Sequence, residues 1–206
     1  MNLILKILMI AFGAAAMLYM YLTVSVRKSV AAGQLDLGDD EIERLPDRIR
    51  LLRLDGAAAR VPESMALMAR QLFAEGFEDA GTHEIEGVPG AIVRLLAHRA
   101  QSMYCAIWAH STGGSWFEFS CNYRGGSTTT FTTLSGTGFD GRPGQTIVRS
   151  PGCGLHDLYV RACRERPTGE FLPANVEQSV AEFESGYSQW MTWQRARGYG
   201  RKARAA

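Results

Sequence analysis

Met103-Tyr-Cys-Ala-Ile-Trp-Ala-His-Ser-Thr-Gly-Gly-Ser-Trp-Phe-Glu-Phe-Ser-Cys-Asn-Tyr123 alternates between apolar and mixed positions on both sides of a Gly-Gly pair. Alternation with a period of two, interrupted by Ser-Thr-Gly-Gly, is the pattern of a β-hairpin with one face on a core. Opposing Ser111 with Ser115 leaves Thr112-Gly113-Gly114 as a three-residue loop. Met103 then faces Tyr123, Cys105 faces Cys121, Ile107 faces Phe119 and Ala109 faces Phe117, all on one side. A two-residue Gly-Gly loop would oppose Ile107 with Ser120 and divide the apolar set between the two sides, because a one-residue slip turns every side chain over. The three-residue register is therefore expected. Its other face carries Tyr104, Ala106, Trp108 and His110 opposite Asn122, Ser120, Glu118 and Trp116.

The same period extends outward from the hairpin. Strands are expected over residues 81–85, 91–98, 103–110, 115–123, 127–134 and 145–149, with Gly and Pro between them at 87–90, 113–114, 125–126 and 136–144. Short connections imply antiparallel neighbours. The run Thr128-Thr-Thr-Phe-Thr-Thr133 has high β-propensity and little apolar surface, which suits a strand at or near a sheet edge.

Helical periodicity flanks the strands. Pro62 suits a first helical position, Met65, Met68, Leu72 and Phe73 share a stripe, and Gly76 suits the stop. A short helix over 154–166 places Leu155, Leu158, Tyr159 and Ala162 together. A last helix over 176–197 lines up Val176, Val180, Phe183, Tyr187, Trp190 and Met191, with Asn175 as cap and Gln178 reaching back. That stripe is expected to lie across the sheet. Residues 41–54 have apolar spacing interrupted by Pro46 and take no firm assignment. The expected fold is α+β: a mainly antiparallel five- or six-stranded sheet packed by helices, preceded by one N-terminal transmembrane helix.

That last element rests on residues 7–26, twenty positions without a charge between Lys6 and Arg27-Lys28. A helix of that length spans about 30 Å, the thickness of a bilayer's hydrocarbon core. Ala14-Ala15-Ala16 also offers a signal-peptide cleavage pattern. The apolar run continues well beyond it, which favours an uncleaved anchor. The organisation read from this is an anchor at 1–28, a linker at 29–40, one domain at 41–198 and a basic tail at 199–206. Partner expectations follow: the lipid bilayer through residues 7–26, and room for a protein partner of unspecified kind. The flanking charges lean toward a cytoplasmic domain. A periplasmic one, with Cys105 and Cys121 joined, is the alternative.

Between the basic ends, 14 basic residues stand against all 21 acidic ones. An acidic body lacks the basic face that nucleic-acid binding requires. Gly136-Thr-Gly-Phe-Asp-Gly141 has the spelling of a dinucleotide loop, but a strand follows it where a phosphate-binding helix is needed. Cys153, His156 and Cys163 make one loose group where a zinc site takes four ligands. No activated nucleophile motif occurs. The sequence therefore names no catalytic residue, metal or cofactor. The one patch it singles out is Tyr104, Trp108, His110, Trp116 and Glu118, a binding surface in which His110 and Glu118 are diagonal neighbours able to pass a proton. Burial of the two tryptophans under the last helix is the competing explanation.

Leu72-Phe-Ala-Glu-Gly-Phe77, Val88-Pro-Gly90, Gly114-Ser-Trp-Phe-Glu118, Arg124-Gly-Gly126 with the threonine strand, Arg149-Ser-Pro-Gly152 and the Phe183, Tyr187, Met191-Thr-Trp193 series occur in that order. Residues 62–198 thereby resemble a loose set of bacterial proteins of unassigned function. The shared features are structural punctuation. The resemblance implies one domain and carries over no functional residue. The expectation is a membrane-anchored, non-catalytic binding or scaffolding domain, with an enzyme using His110 and Glu118 or a cysteine as the alternative.

Overall fold

Seven strands follow one another across a single sheet in chain order: β1 (Leu51–Arg53), β2 (Glu78–Ile85), β3 (Ala91–His98), β4 (Met103–His110), β5 (Gly114–Asn122), β6 (Thr128–Thr132) and β7 (Gln145–Arg149). Among the described residues the helices are α1 (Glu63–Ala74), α2 (Leu155–Glu165) and α3 (Ser179–Ala196), the last preceded by a 3-10 turn at Val176–Gln178. This computed structural model describes residues 45–54, 61–111, 114–135 and 141–197. The expected anchor, linker and basic tail lie outside them. Among the described residues no helix is long and apolar enough to cross a membrane.

The α+β class holds, but the sheet is larger than expected and it is mixed. β1 is added at one edge by only three residues, Leu51 pairing with Ile85 and Arg53 with His83. At the other edge β7 runs parallel to β6. The twelve residues separating Thr132 from Gln145 are enough to carry the chain back to the strand's starting end, which a short turn cannot do. The threonine strand β6 is thus paired on both sides and does not present an open edge.

The central hairpin has the expected faces in a different register. Trp108 opposes Trp116, Ile107 opposes Phe117, Cys105 opposes Phe119 and His110 opposes Gly114. The pairing is two residues from the expected one, and a shift of two preserves the face of every side chain. The register found places the two tryptophan rings in a stack, with centroids 5.2 Å apart and planes 14° apart, a cross-strand pair that stabilises the hairpin. Cys105 and Cys121 are consequently not opposed, and both thiols are free and buried.

One face of the sheet carries the larger core. Met65, Ala69 and Leu72 of α1 and Leu155, Leu158, Tyr159 and Ala162 of α2 enclose Leu96, Cys105, Ile107, Phe119 and Phe131. Pro62 caps α1, its carbonyl accepting from the Met65 and Ala66 amides. Gly76 ends α1 at φ +96, with the Phe77 amide returning to the Leu72 carbonyl, a left-handed stop that suits glycine. Phe73, expected on the buried stripe, is instead 40% exposed and lies under the Arg94 guanidinium.

α3 crosses the other face. Val180, Phe183 and Tyr187 pack over Ile49, Leu51, Ile85, Ala91, Val93 and Leu95, and the Tyr187 hydroxyl donates to the Pro46 carbonyl at 2.8 Å. The expected cap differs in detail. Asn175 bonds the Gln178 side chain at 3.1 Å, and the first turn winds as a 3-10 helix before α3 begins.

Candidate binding cleft

α3 covers β1 to β3 and stops short of the far strands. On that face the row Leu95, Ala106, Glu118, Thr132 and Arg149 runs across β3 to β7, and a parallel row is formed by Ala97, Tyr104, Ser120, Thr130 and Ile147. Adjacent strands are about 4.8 Å apart, so the portion beyond α3 is a floor roughly 15 Å wide. Between this floor and α3 lies a cleft of about 570 Å³.

Its composition follows from alternation. Every second residue of β5, β6 and β7 faces it: Trp116, Glu118, Ser120 and Asn122, then Thr128, Thr130 and Thr132, then Gln145, Ile147 and Arg149. The hydroxyls are tied together along the floor. The Ser120 and Thr130 hydroxyl oxygens are 3.0 Å apart, and the Thr128 hydroxyl donates to the side-chain Oδ1 of Asn122 at 3.1 Å. Asn122 in turn donates to Glu182 of α3 at 3.3 Å, linking floor to wall. The wall itself is Phe183, Tyr187 and Trp190, with Gly186 leaving a gap among them. An apolar wall facing a hydroxylated floor is the make-up of a small-molecule site, in which a few polar groups fix orientation.

All five residues singled out from the sequence line this cleft. They are not equivalent within it. Trp116 is buried, and Trp108 is half-buried against Phe183, ring centroids 5.3 Å apart. Much of their surface is therefore taken up internally, and they form an inner end to the cleft. Tyr104 accepts the Asn175 amide at 3.2 Å, and burial raises its phenol above the usual range.

The register corrects the proposed proton-transfer pair. His110 stands opposite Gly114 and Glu118 opposite Ala106, with the Trp108–Trp116 pair between them. They are two steps apart along the face and not diagonal neighbours. Glu118 has a different partner: the Trp108 indole donates to its Oε1 at 3.3 Å. Solvent reaches Glu118 through the cleft mouth, yet protein surrounds the carboxyl closely. Desolvation pushes its pKa up to about 7, against a smaller lowering from the Trp108 bond.

Sequence reasoning missed the hydroxyl floor and the β7 contribution. The threonines at 128, 130 and 132 already share a face by spacing, but their meaning depends on β7 lying beyond them. The other candidates fall elsewhere. Gly141 sits between β6 and β7, and residues 136–140 of that loop lie outside the described residues. His156 is exposed and bonds Glu75 at 3.0 Å. Among the described residues, no three His, Cys, Asp or Glu side chains converge on a metal position. Burial raises the Cys105 thiol well above its ordinary value and that of Cys121 as well, the Arg166 guanidinium partly opposing it at Cys121. A raised pKa keeps a thiol protonated and a poor nucleophile.

No family model matches this chain, and no curated protein or solved structure matches it either.

Proposed function

We propose that this chain is a binding domain held at a membrane surface by residues 7–26, and that its ligand occupies the cleft between α3 and β4 to β7. The observation carrying this is the cleft itself, about 570 Å³ floored by hydroxyls and walled by aromatic rings. That size lies within the range of small-molecule pockets. A single amphipathic ligand suits it, with its apolar part against Phe183, Tyr187 and Trp190 and its polar part toward Ser120, Thr130 and Glu118. The membrane tether and a domain facing the cytoplasm rest on the twenty uncharged residues and their flanking charges. A reporter fused to the C-terminus tests the orientation.

The test of the cleft uses the full chain extracted in a neutral detergent, with co-purifying small molecules identified by mass spectrometry. A defined compound retained by the wild type and lost from Gly186→Trp, whose indole would fill the gap in the wall, supports the reading. An identical profile for both proteins overturns it.

One observation favours a second reading. A carboxyl titrating near 7 inside a cleft is poised to accept and return a proton, the property of a general acid–base group. In that reading Glu118 alone replaces the His110–Glu118 pair. Conversion of the co-purified compound by the wild type but not by Glu118→Gln would distinguish an enzyme from a binding domain.

A further inference from the structure

The Trp108 indole satisfies only Oε1 of Glu118, and among the described residues the hydrogen bonds leave Oε2 to the cleft. A carboxylate in so enclosed a place needs a partner. The protein supplies one neutral donor from an indole already packed between rings, Trp116 stacked on Trp108 and Phe183 tilted against it. A cation would add what that donor does not, a charge-assisted contact with the carboxylate. We propose that the ligand of this cleft is an amphiphile with a cationic nitrogen head group, the nitrogen seated on Oε2 of Glu118 beside the tryptophan pair and the apolar body along Phe183, Tyr187 and Trp190. This inference rests on the cleft being the binding site and names the class of compound it takes.

Other titratable groups stand on the surrounding elements. β4 brings Tyr104 and His110, the β7 side brings Arg142 and Arg149, α3 brings Glu182, and Cys105 lies behind the sheet. Arg149 already has an interaction within the protein. Glu182 holds Asn122. What acts on the Glu118 carboxyl is its burial and the indole bond. One strand, β6, lies between Glu118 and Arg149, whose backbones are two strand spacings or about 10 Å apart.

A cation stabilises the ionised carboxyl, so binding lowers its pKa from about 7 and releases a proton. Affinity must rise with pH up to about 7 and level off above it. A fatty acid or a neutral acceptor would use the protonated carboxyl as a donor and lose affinity over the same range.

The experiment labels the full chain with 5-fluorotryptophan, whose four sites give separate fluorine resonances, and titrates it in neutral detergent at pH 6 and pH 8. The probes are decyltrimethylammonium, decanoate and decanol. Expected is saturable movement of the Trp108 and Trp116 signals with decyltrimethylammonium, about tenfold tighter at pH 8 than at pH 6. Glu118→Gln should weaken it by about tenfold and remove the pH dependence, while a cooperative urea unfolding transition certifies the variant's fold. Decanoate or decanol binding as tightly as the cation at pH 8, or affinity falling with pH, overturns the cationic head group while leaving the cleft as a site. Failure of all three probes to move those resonances overturns both.

Discussion

Glu118→Gln gives a stability change whose size can be worked out in advance. The carboxyl's pKa rises from an ordinary 4.5 to about 7 on folding because protein replaces water around it. At about 1.4 kcal/mol per pKa unit, the native state loses roughly 3 kcal/mol from this group as the pH rises from 4.5 to 7. The sign follows from proton binding. Between those values the folded chain holds a proton that the unfolded chain has released, so stability falls with pH and levels off above about 7. Glutamine keeps the shape and an oxygen for the Trp108 indole, and it never ionises. The variant should match the wild type near pH 4.5 and exceed it by up to about 3 kcal/mol at pH 8. Urea unfolding of both full-length proteins, followed by tryptophan fluorescence between pH 4.5 and 8, reads this directly. Equal stabilities at pH 8, or a difference unaffected by pH, would mean that the carboxyl is well hydrated and that the cleft floor does not enclose it.

The remaining predictions concern the scaffold. Phe119 is fully buried against Phe77 and Tyr159, with ring centroids 5.8 and 5.7 Å away, so Phe119→Ala should cost about 3–5 kcal/mol in denaturant unfolding. Two glycine substitutions should act in opposite directions by thermal melting. Gly186→Ala places a methyl in open space within α3 and should stabilise by about 0.5–1 kcal/mol. Gly76→Ala forces φ +96 on an L-residue and puts its Cβ 3.2 Å from the His98 ring, and it should destabilise by about 1–2 kcal/mol.

What the sequence disclosed and what it withheld have a common physical origin. Strands β3, β4 and β7 were readable to the residue because each is a short run rich in β-branched, aromatic and apolar residues bounded by polar or Gly- and Pro-containing turns. The α2 stripe was equally plain, and Leu155, Leu158, Tyr159 and Ala162 are all buried. The hairpin register escaped because pairings two residues apart bury the same side chains. Hydrophobicity cannot separate them, and the tryptophan stack that does is a contact between particular rings. β1 escaped because three residues carry too little period, and Leu51 is the only buried one among them. The β6–β7 pairing escaped because parallel partners are set by how a long connection travels, which local alternation does not encode.

The candidate site was legible in the same uneven way. Tyr104, Trp108, His110, Trp116 and Glu118 were found as one face, and all five line the cleft. Their roles were not legible. The pairing of His110 with Glu118 depended on the wrong register, and the importance of Thr130 and Thr132 depended on β7 extending the floor. A residue's face is fixed by its own strand, whereas its neighbours are fixed by others.

Fluorine spectroscopy of the 5-fluorotryptophan-labelled full chain during a decanol titration bears most directly on whether the cleft binds ligand. Trp116 and Trp190 line the cleft, whereas Trp193 lies under the Arg197 guanidinium outside its lining. The Trp116 and Trp190 signals should move saturably while the Trp193 signal stays in place. Stationary Trp116 and Trp190 resonances, or equal movement of all four, would contradict a ligand site between α3 and the sheet.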